Sequence, residues 1–127
     1  MQIVRFDAGT GKAIDAYGSV GLAMSRIGGS DGPVHFGCMH LDAGGSVGRH
    51  QAPVRQLFLV VNGQGEARSG PWESASGDPW VPLKPGFAAV WEAGEWHEVR
   101  TANGLTAIVM EGDSVRSLMP SADVGAG

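Results

Sequence analysis

Glycine and proline interrupt this sequence so often that no long regular element fits between them. The chain has 21 glycines and 7 prolines among its 127 residues, and they follow no Gly-X-Y period of the kind that a collagen helix needs. Between them lie short apolar runs, such as residues 56–61 and 105–111. Short apolar runs between turn residues are typical of β-strands, and no stretch combines helical periodicity with capping residues. The sequence therefore predicts an all-β fold.

The pattern also predicts how the strands are connected. The expected strands are residues 2–6, 20–27, 34–41, 56–61, 66–68, 87–92, 98–101 and 105–111. Asn62-Gly63 and Asn103-Gly104 lie between consecutive runs, and an Asn-Gly pair is the usual signal for a two-residue hairpin, so we predict hairpins at both. Residues 69–79 are expected to form an exposed loop. Many short strands at this spacing favour a barrel or a two-sheet jelly roll.

The length of the chain is that of one domain, and no interior stretch has the composition of a linker. Hydrophobic residues make up 43% of the sequence, which is enough to fill a core. The chain ends in small residues, PSADVGAG, and such ends tend to fray. We predict one barrel domain over residues 1–113 and a flexible tail over residues 114–127.

Charge, hydropathy and cysteine content exclude several classes of partner. The net charge is −4 and the basic residues are scattered singly, so nucleic acid is not an expected partner. No run reaches the ~20 apolar residues that cross a bilayer, and the start lacks the pattern of a signal peptide, so no membrane partner is predicted. The single cysteine, Cys38, has no intrachain partner and favours a cytoplasmic protein. Its apolar run favours a small buried hydrophobe over a nucleophile.

Two histidines stand where a glycine-rich turn meets a strand. His50 precedes the apolar run QLFLVV, and His97 follows EAGEW at the start of HEVRT. Strand ends of this kind line the mouth of a barrel, where small-molecule sites collect.

The segment around His50 resembles the first conserved motif of the cupin superfamily, a group of small β-barrels with jelly-roll topology. That motif runs glycine, five residues, His-x-His, three residues, Glu, six residues, glycine. The residues at its positions here are Gly44, His50, Ala52, Gln56 and Gly63. Ala52 replaces the second histidine and Gln56 replaces the glutamate.

The segment around His97 resembles the second cupin motif, which runs glycine, five residues, Pro-x-Gly, two residues, His, three residues, Asn. The residues at its positions here are Gly86, Glu92, Gly94, His97 and Thr101. Every spacing is kept, while Glu92 and Thr101 replace the proline and the asparagine. The resemblance implies a single-domain cupin jelly roll that includes most of the chain.

The resemblance also implies where a metal would sit. In metal-binding cupins the motif histidines and the glutamate hold a divalent ion, and the counterparts here are His50, Gln56 and His97, with no ligand at Ala52. Three protein ligands and a water suffice for catalytic zinc. Three neutral ligands, one of them an amide, nevertheless bind a divalent cation weakly in a low-dielectric barrel. A site without tightly held metal is therefore favoured, and a divalent ion (Zn, Fe, Mn or Ni) on these residues is the alternative.

Strand alternation supplies the rest of the predicted pocket. The resemblance points Gln56 and His97 inward. The residues that share their faces are Phe58, Val60, Val99 and Thr101. His40 lies on the strand that leads into the first motif, and alternation leaves open whether it faces the pocket or the outside.

The leading functional hypothesis is a cupin that binds a small organic molecule, with His50, Gln56 and His97 as its polar anchor. The first alternative is a metal-dependent cupin enzyme of the isomerase, cyclase or oxygenase type on the same residues. The second is a non-catalytic structural or regulatory dimer with a filled barrel. No catalytic triad order, Walker loop or dinucleotide motif supports another reaction class, and whether the chain is an enzyme stays open.

The apolar strands also bear on assembly. Residues 56–61 and 105–111 are apolar on both faces, so each needs cover on its outer side. We predict a homodimer in which the N-terminal strand, residues 2–6, packs against the partner's sheet, as in many cupins. Cover from within the same chain is the competing interpretation.

Overall fold

The computed structural model describes residues 1–122, and nearly all of their regular structure is β. The strands are β1 (Gln2–Arg5), β2 (Lys12–Ile14), β3 (Leu22–Met24), β4 (Gly28–Ser30), β5 (His35–Leu41), β6 (Ser46–Gln51), β7 (Gln56–Gly63), β8 (Gly65–Gly70), β9 (Val81–Leu83), β10 (Phe87–Trp91), β11 (Trp96–Arg100), β12 (Leu105–Glu111) and β13 (Val115–Ser117). Two short 3-10 turns, Ala8–Thr10 and Ala16–Gly18, are the helical elements of this range. The all-β prediction is confirmed. No helix in the described range is long and apolar enough to span a bilayer.

Two antiparallel sheets enclose the core. One has five strands in the order β1-β10-β7-β12-β5, and the other has four in the order β6-β11-β8-β9. Side chains of both sheets meet in one inner cluster, because successive side chains of a strand point to opposite faces. Its largest members include Phe58, Leu83, Trp91 and Val99. The edge strands β5 and β6 follow each other in the chain through the turn at residues 42–45.

The outer face of the five-stranded sheet is covered from within the same chain. Leu57 and Leu59 of β7 pack there against Val115 and Met119, and β13 pairs with β4 to form that cover. The prediction that the outer face of residues 56–61 needs a partner is therefore wrong for these two side chains. Strand β13 also lies inside the segment predicted as a flexible tail. Residues 123–127 of that segment lie outside the described residues.

The N-terminal strand is also paired within its own chain. Strand β1 lies antiparallel to β10, and the amides of Arg5 and Ala122 bond to Pro120 and Ile3 respectively on its other side. Val4 is buried in the outer cluster. Both backbone edges of β1 are therefore occupied within the chain, and neither is free to extend the sheet of another subunit.

Both Asn-Gly hairpin predictions are wrong. Strands β7 and β8 lie in different sheets, and so do β11 and β12, so each pair marks a corner where the chain crosses between sheets. The corners touch: a Cβ on Gly63 would lie 2.2 Å from the carbonyl oxygen of Gly104. Both glycines have positive φ, 70° and 109°. The Asn-Gly signal thus identified the backbone conformation but not the pairing of the strands.

The long loop between β8 and β9 lies against the outer face of the four-stranded sheet. Arg49 of β6 donates to the carbonyl of Trp72 and to Asp78 at 2.7 Å. The ring of Trp80 lies between the guanidiniums of Arg68 and Arg100, at 4.2 and 3.9 Å from its centroid. The loop predicted at residues 69–79 is therefore anchored at both ends, although Trp72 itself is exposed.

Candidate functional site

His50 and His97 meet across the pairing of β6 and β11, where they are direct partners. Their ring centroids are 4.4 Å apart. The register between the strands shifts after His97, and a shift of this kind re-aims side chains, so that Val47 and His50 both border one cavity. His97 is buried, at 2% exposure, whereas His50 is exposed.

A backbone carbonyl holds each ring by its Nδ1 atom. Nδ1 of His50 lies 2.7 Å from the oxygen of Gly48, and Nδ1 of His97 lies 3.1 Å from the oxygen of Glu95. A carbonyl oxygen only accepts, so Nδ1 carries the proton in both rings. In the neutral imidazole the other nitrogen, Nε2, then keeps its lone pair. In their neutral forms the two rings therefore offer acceptors rather than donors at Nε2.

Gln56 is fixed by a carboxylate that sequence analysis missed. It begins β7 opposite Glu111, the last residue of β12, and its Nε2 donates to Oε2 of Glu111 at 2.6 Å. With one amide N–H held there, the amide oxygen is an acceptor available to the cavity that Gln56 borders. Glu111 lies on the same face of β12 as Val109 and Ala107, which belong to the inner cluster. That parity was the available signal, but β12 is apolar on both faces and did not show which face is inside.

A cavity of about 30 Å³ lies among these side chains. From the predicted set it is bordered by His50, Gln56, Phe58, His97 and Val99, and the other bordering residues are Met39, Val47 and Trp91. A volume of this size holds about one or two water-sized groups. The cavity as it stands therefore fits the polar head of a ligand and not a whole organic molecule.

Trp91 forms one wall and fixes the ring of His97. Their rings stack with centroids 4.0 Å apart and an interplanar angle of 21°, and Phe58 lies 5.5 Å away on the indole. The indole Nε1–H is buried with no acceptor among residues 1–122. A rigid aromatic wall of this kind holds His97 in one orientation.

Burial sets the charge state of His97. Desolvation lowers its pKa, the hydrogen bond to the carbonyl of Glu95 opposes that shift, and the charge of nearby His50 lowers the pKa further. His97 is therefore neutral at pH 7, in agreement with its role as an acceptor.

Comparison with known proteins identifies the fold. No protein-family model matches the chain, and no curated protein matches it, but solved structures do. A cupin superfamily protein from Desulfitobacterium hafniense aligns with a TM-score of 0.54 at 17% identity over 71% of this chain and 72% of its own. A double-stranded beta-helix domain protein from Klebsiella pneumoniae subsp. pneumoniae aligns with a TM-score of 0.54 at 17% identity over 76% and 81%. The chain has a cupin fold. A predicted oxalate decarboxylase from Thermotoga maritima aligns with a TM-score of 0.50 at 22% identity over 65% of each chain.

Three residues of the predicted pocket do not border this cavity of the cupin fold. Met39 faces the cavity from β5, so His40 points to the opposite face, where its Nδ1 lies 3.5 Å from the hydroxyl of Thr106. Val60 is fully buried in the core. Thr101 lies just past the other end of β11 and donates to the carbonyl of Gln64 at 2.7 Å. Strand alternation placed Thr101 on the same face as His97 and Val99, but it did not show that Thr101 lies too far along the strand to reach the cavity.

Ala52, at the position of the second histidine of the first motif, does not lie at the cavity either. Ala52 is 2% exposed and belongs to the inner core cluster. Its backbone bonds to Glu95 and Gly94 hold it there. Core packing therefore occupies the place where a cupin ligand side chain would stand.

The donor set does not fit a tightly held divalent metal. Within residues 1–122 no group of three or more His, Cys, Asp or Glu side chains is placed to hold an ion. What remains of the cupin set is two imidazoles and one amide oxygen, which bring no negative charge. Two nearby carboxylates already have partners, since Glu111 is bonded to Gln56 and Glu95 pairs with the N-terminal amine.

Proposed function

We propose that this cupin-fold protein binds a small organic molecule whose hydrogen-bond donor head sits against His50, Gln56 and His97. The observation that carries the proposal is the convergence of three polar side chains at one cavity: two imidazoles whose Nδ1 atoms are bonded to carbonyls, which leaves Nε2 as the acceptor of each neutral ring, and the amide of Gln56. An acceptor wall recognises a hydroxyl, an amide N–H or an ammonium group, and it rejects a carboxylate.

The body of the ligand needs more room than the cavity gives, and β5 supplies it. Met39 borders the cavity and is 38% exposed, and methionine changes rotamer at low cost. A side chain on Gly37, two residues away on the same face, would meet no atom within 4 Å. Rotation of Met39 would join the cavity to this open space at the edge of the sheet.

The runner-up is a divalent-metal enzyme of the isomerase, cyclase or oxygenase type at the same residues. One observation favours it, since metal-ligating histidines commonly donate Nδ1–H to a carbonyl as both do here. The neutral donor set is the argument against it.

The homodimer and the cytoplasmic location also belong to this proposal. The outer face of β5 keeps apolar surface that the chain does not cover, with Phe36 69% exposed and Cys38 exposed beside it. Cys38 was expected to be buried, but it lies on the outer face of an edge strand. An exposed thiol without a partner suits a reducing compartment.

The test is a thermal-shift screen of small alcohols, amides, amines and carboxylates, followed by calorimetric titration of the strongest binder. We expect the binders to carry a hydrogen-bond donor group. His50→Ala should weaken binding at least about tenfold, because it removes one neutral hydrogen-bonding side chain. His40→Ala, on the outer face of β5, is the matched control and should leave the affinity unchanged. A binder that keeps its affinity in His50→Ala and in His97→Gln would place the site elsewhere.

A further inference from the structure

A second and larger cavity lies at the end of the barrel opposite to His97. Its volume is about 740 Å³, inside the range of roughly 300–1,000 Å³ of small-molecule sites. Strand β11 begins next to His97, at the first cavity, and ends at Arg100. The second cavity is bordered by Arg100, Thr101 and Asn103. No residue borders both cavities. We call the second one the corner groove, because the chain corners after β7, β9 and β11 form its walls.

The walls of the corner groove are tied together by hydrogen bonds. The hydroxyl of Thr101 donates to the carbonyl of Gln64 at 2.7 Å and accepts from the amide of Gly104 at 3.0 Å. On the facing side, the amide of Phe87 bonds to the carbonyl of Lys84 at 3.0 Å. Walls fixed in this way hold a groove open before a ligand arrives, which lowers the cost of ordering on binding.

One face of the groove is apolar. The ring of Phe87 is half-buried against the inner core, and Leu83 below it is 1% exposed. Pro82 continues this surface towards the rim. A planar apolar body fits such a surface better than a flexible chain does, because ring-on-ring contact adds to the burial of area.

The rim carries one uncompensated positive charge. Arg100 pairs with Glu66 at 2.5 Å and stacks on Trp80, so its charge is balanced. Lys84 makes no salt bridge within residues 1–122, and its ammonium lies 5.1 Å from the centroid of the Phe87 ring. Among the charged side chains that border the groove within residues 1–122, Arg100 and Glu66 neutralise each other, and Lys84 is left without a salt bridge.

We propose that the corner groove binds a planar aromatic monocarboxylate, with its ring on Phe87 and its carboxylate on the ammonium of Lys84. The exposed amides of Gln64 and Asn103 border the same groove and supply further donors to the carboxylate or to ring substituents. A single free cation matches a single negative charge, whereas a dianion would leave one of its charges unpaired. The corner groove thus binds a carboxylate, the group that the acceptors at His50 and His97 reject.

The test is a titration of the full chain with 2-naphthoate, followed by backbone amide shifts in NMR. We expect saturable shifts at Gly65, Thr101 and Ala102, and none at His50. Replacement of Lys84 by Met should weaken binding at least about fivefold, since a charge-assisted hydrogen bond is lost. Lys12→Met removes the chain's other lysine, on β2, and is the matched control. The neutral isostere 2-naphthamide should bind at least about fivefold more weakly than the carboxylate.

Three outcomes would overturn the proposal. They are the absence of saturation at millimolar 2-naphthoate, equal losses of affinity in Lys84→Met and Lys12→Met, and shifts confined to the histidine end of the barrel. Lys84 is exposed, so its replacement leaves the fold intact and the comparison with Lys12→Met stays interpretable. The test is independent of any ligand at His50 and His97, because the two cavities share no residue.

Discussion

Gln56 holds the position of the cupin motif glutamate, and its amide donates to Glu111 at 2.6 Å across the pairing of β7 and β12. The site has therefore not lost its carboxylate outright. The negative charge stands one strand away, on a residue outside both motifs. A glutamate at position 56 would face Glu111 at hydrogen-bond distance, and two carboxylates cannot both ionise there without a large cost. The amide at position 56 is the residue that suits a carboxylate at position 111.

The first prediction follows from this pair. Gln56→Glu should lower the free energy of unfolding by about 1–3 kcal/mol at pH 7, because it replaces a charge-assisted hydrogen bond by like charges. Gln56→Glu with Glu111→Gln restores one amide and one carboxylate and should recover most of the loss. Urea unfolding of the four proteins of the cycle measures the coupling. Equal stability of Gln56→Glu and the parent chain would show that the two side chains are independent.

The second prediction concerns the metal affinity of the protein in which Gln56 and Glu111 are exchanged. Gln56→Glu with Glu111→Gln brings a carboxylate to the cavity beside His50 and His97, and we expect zinc affinity to rise at least about tenfold over the parent. Elemental analysis and competition with a chromogenic chelator measure it. Adding His50→Ala to the exchanged protein should abolish the gain. A full complement of metal in the unaltered protein would favour the enzyme alternative over the binding function.

A histidine at position 52 would restore the other missing motif ligand, but the fold argues against this variant. Ala52 is buried in the core cluster, so an imidazole there overpacks the interior, and overpacking costs about 1–3 kcal/mol. The exchange of Gln56 and Glu111 adds a ligand without a change in volume. It is therefore the more informative of the two variants.

The third prediction concerns pH. The folded-state pKa of His97 lies below its ordinary value of 6.5 because of burial, so the unfolded chain binds more protons than the folded one between the two pKa values. Stability is therefore constant above about pH 7.5 and falls as the pH drops through 6.5, by about 1.4 kcal/mol for each unit between the two pKa values. Melting temperatures from pH 5 to 8 measure this. His97→Gln should show a shallower acid slope, whereas His40→Gln should keep the parent slope.

Sequence reasoning located the fold and half of the site for identifiable reasons. Motif spacing is local, so His50, Gln56 and His97 were found although their surroundings had changed. Met39 and Glu111 were missed because they lie on β5 and β12, which flank the motifs but are not part of them. Both strands read ambiguously, since β12 is apolar on both faces and β5 is an exposed edge strand. Only the pairing of β12 with β7 and β5 shows which of their faces is inside.

The Asn-Gly pairs did not predict the strand pairing, because a local signal does not show which strands lie in the same sheet. The contact between the two corners supplies the fourth prediction. Gly63 has a φ of 70°, and its Cβ would lie 2.2 Å from the carbonyl of Gly104, so Gly63→Ala combines backbone strain with a backbone clash. We expect a loss of about 2–4 kcal/mol in unfolding free energy. Gly37→Ala, where a Cβ meets nothing within 4 Å, is the matched control and should cost less than about 1 kcal/mol. Equal losses would mean that the contact between the corners is not important for stability.

The last prediction concerns assembly, and the fold moves it to a different surface. Strand β1 is paired on both edges within its chain, so removal of residues 1–6 tests stability rather than association. The uncovered apolar surface lies on β5, where Phe36 is 69% exposed beside Met110 of β12. Because β5 is also an edge strand, a second copy can pack there as an isologous partner, face to face. Sedimentation at micromolar concentration should show a dimer that Phe36→Ser converts to a folded monomer. Tyr17→Ser, at the fully exposed tip between β2 and β3, should leave the dimer intact. A monomeric parent chain at that concentration would contradict the homodimer and leave Phe36 as an isolated surface residue.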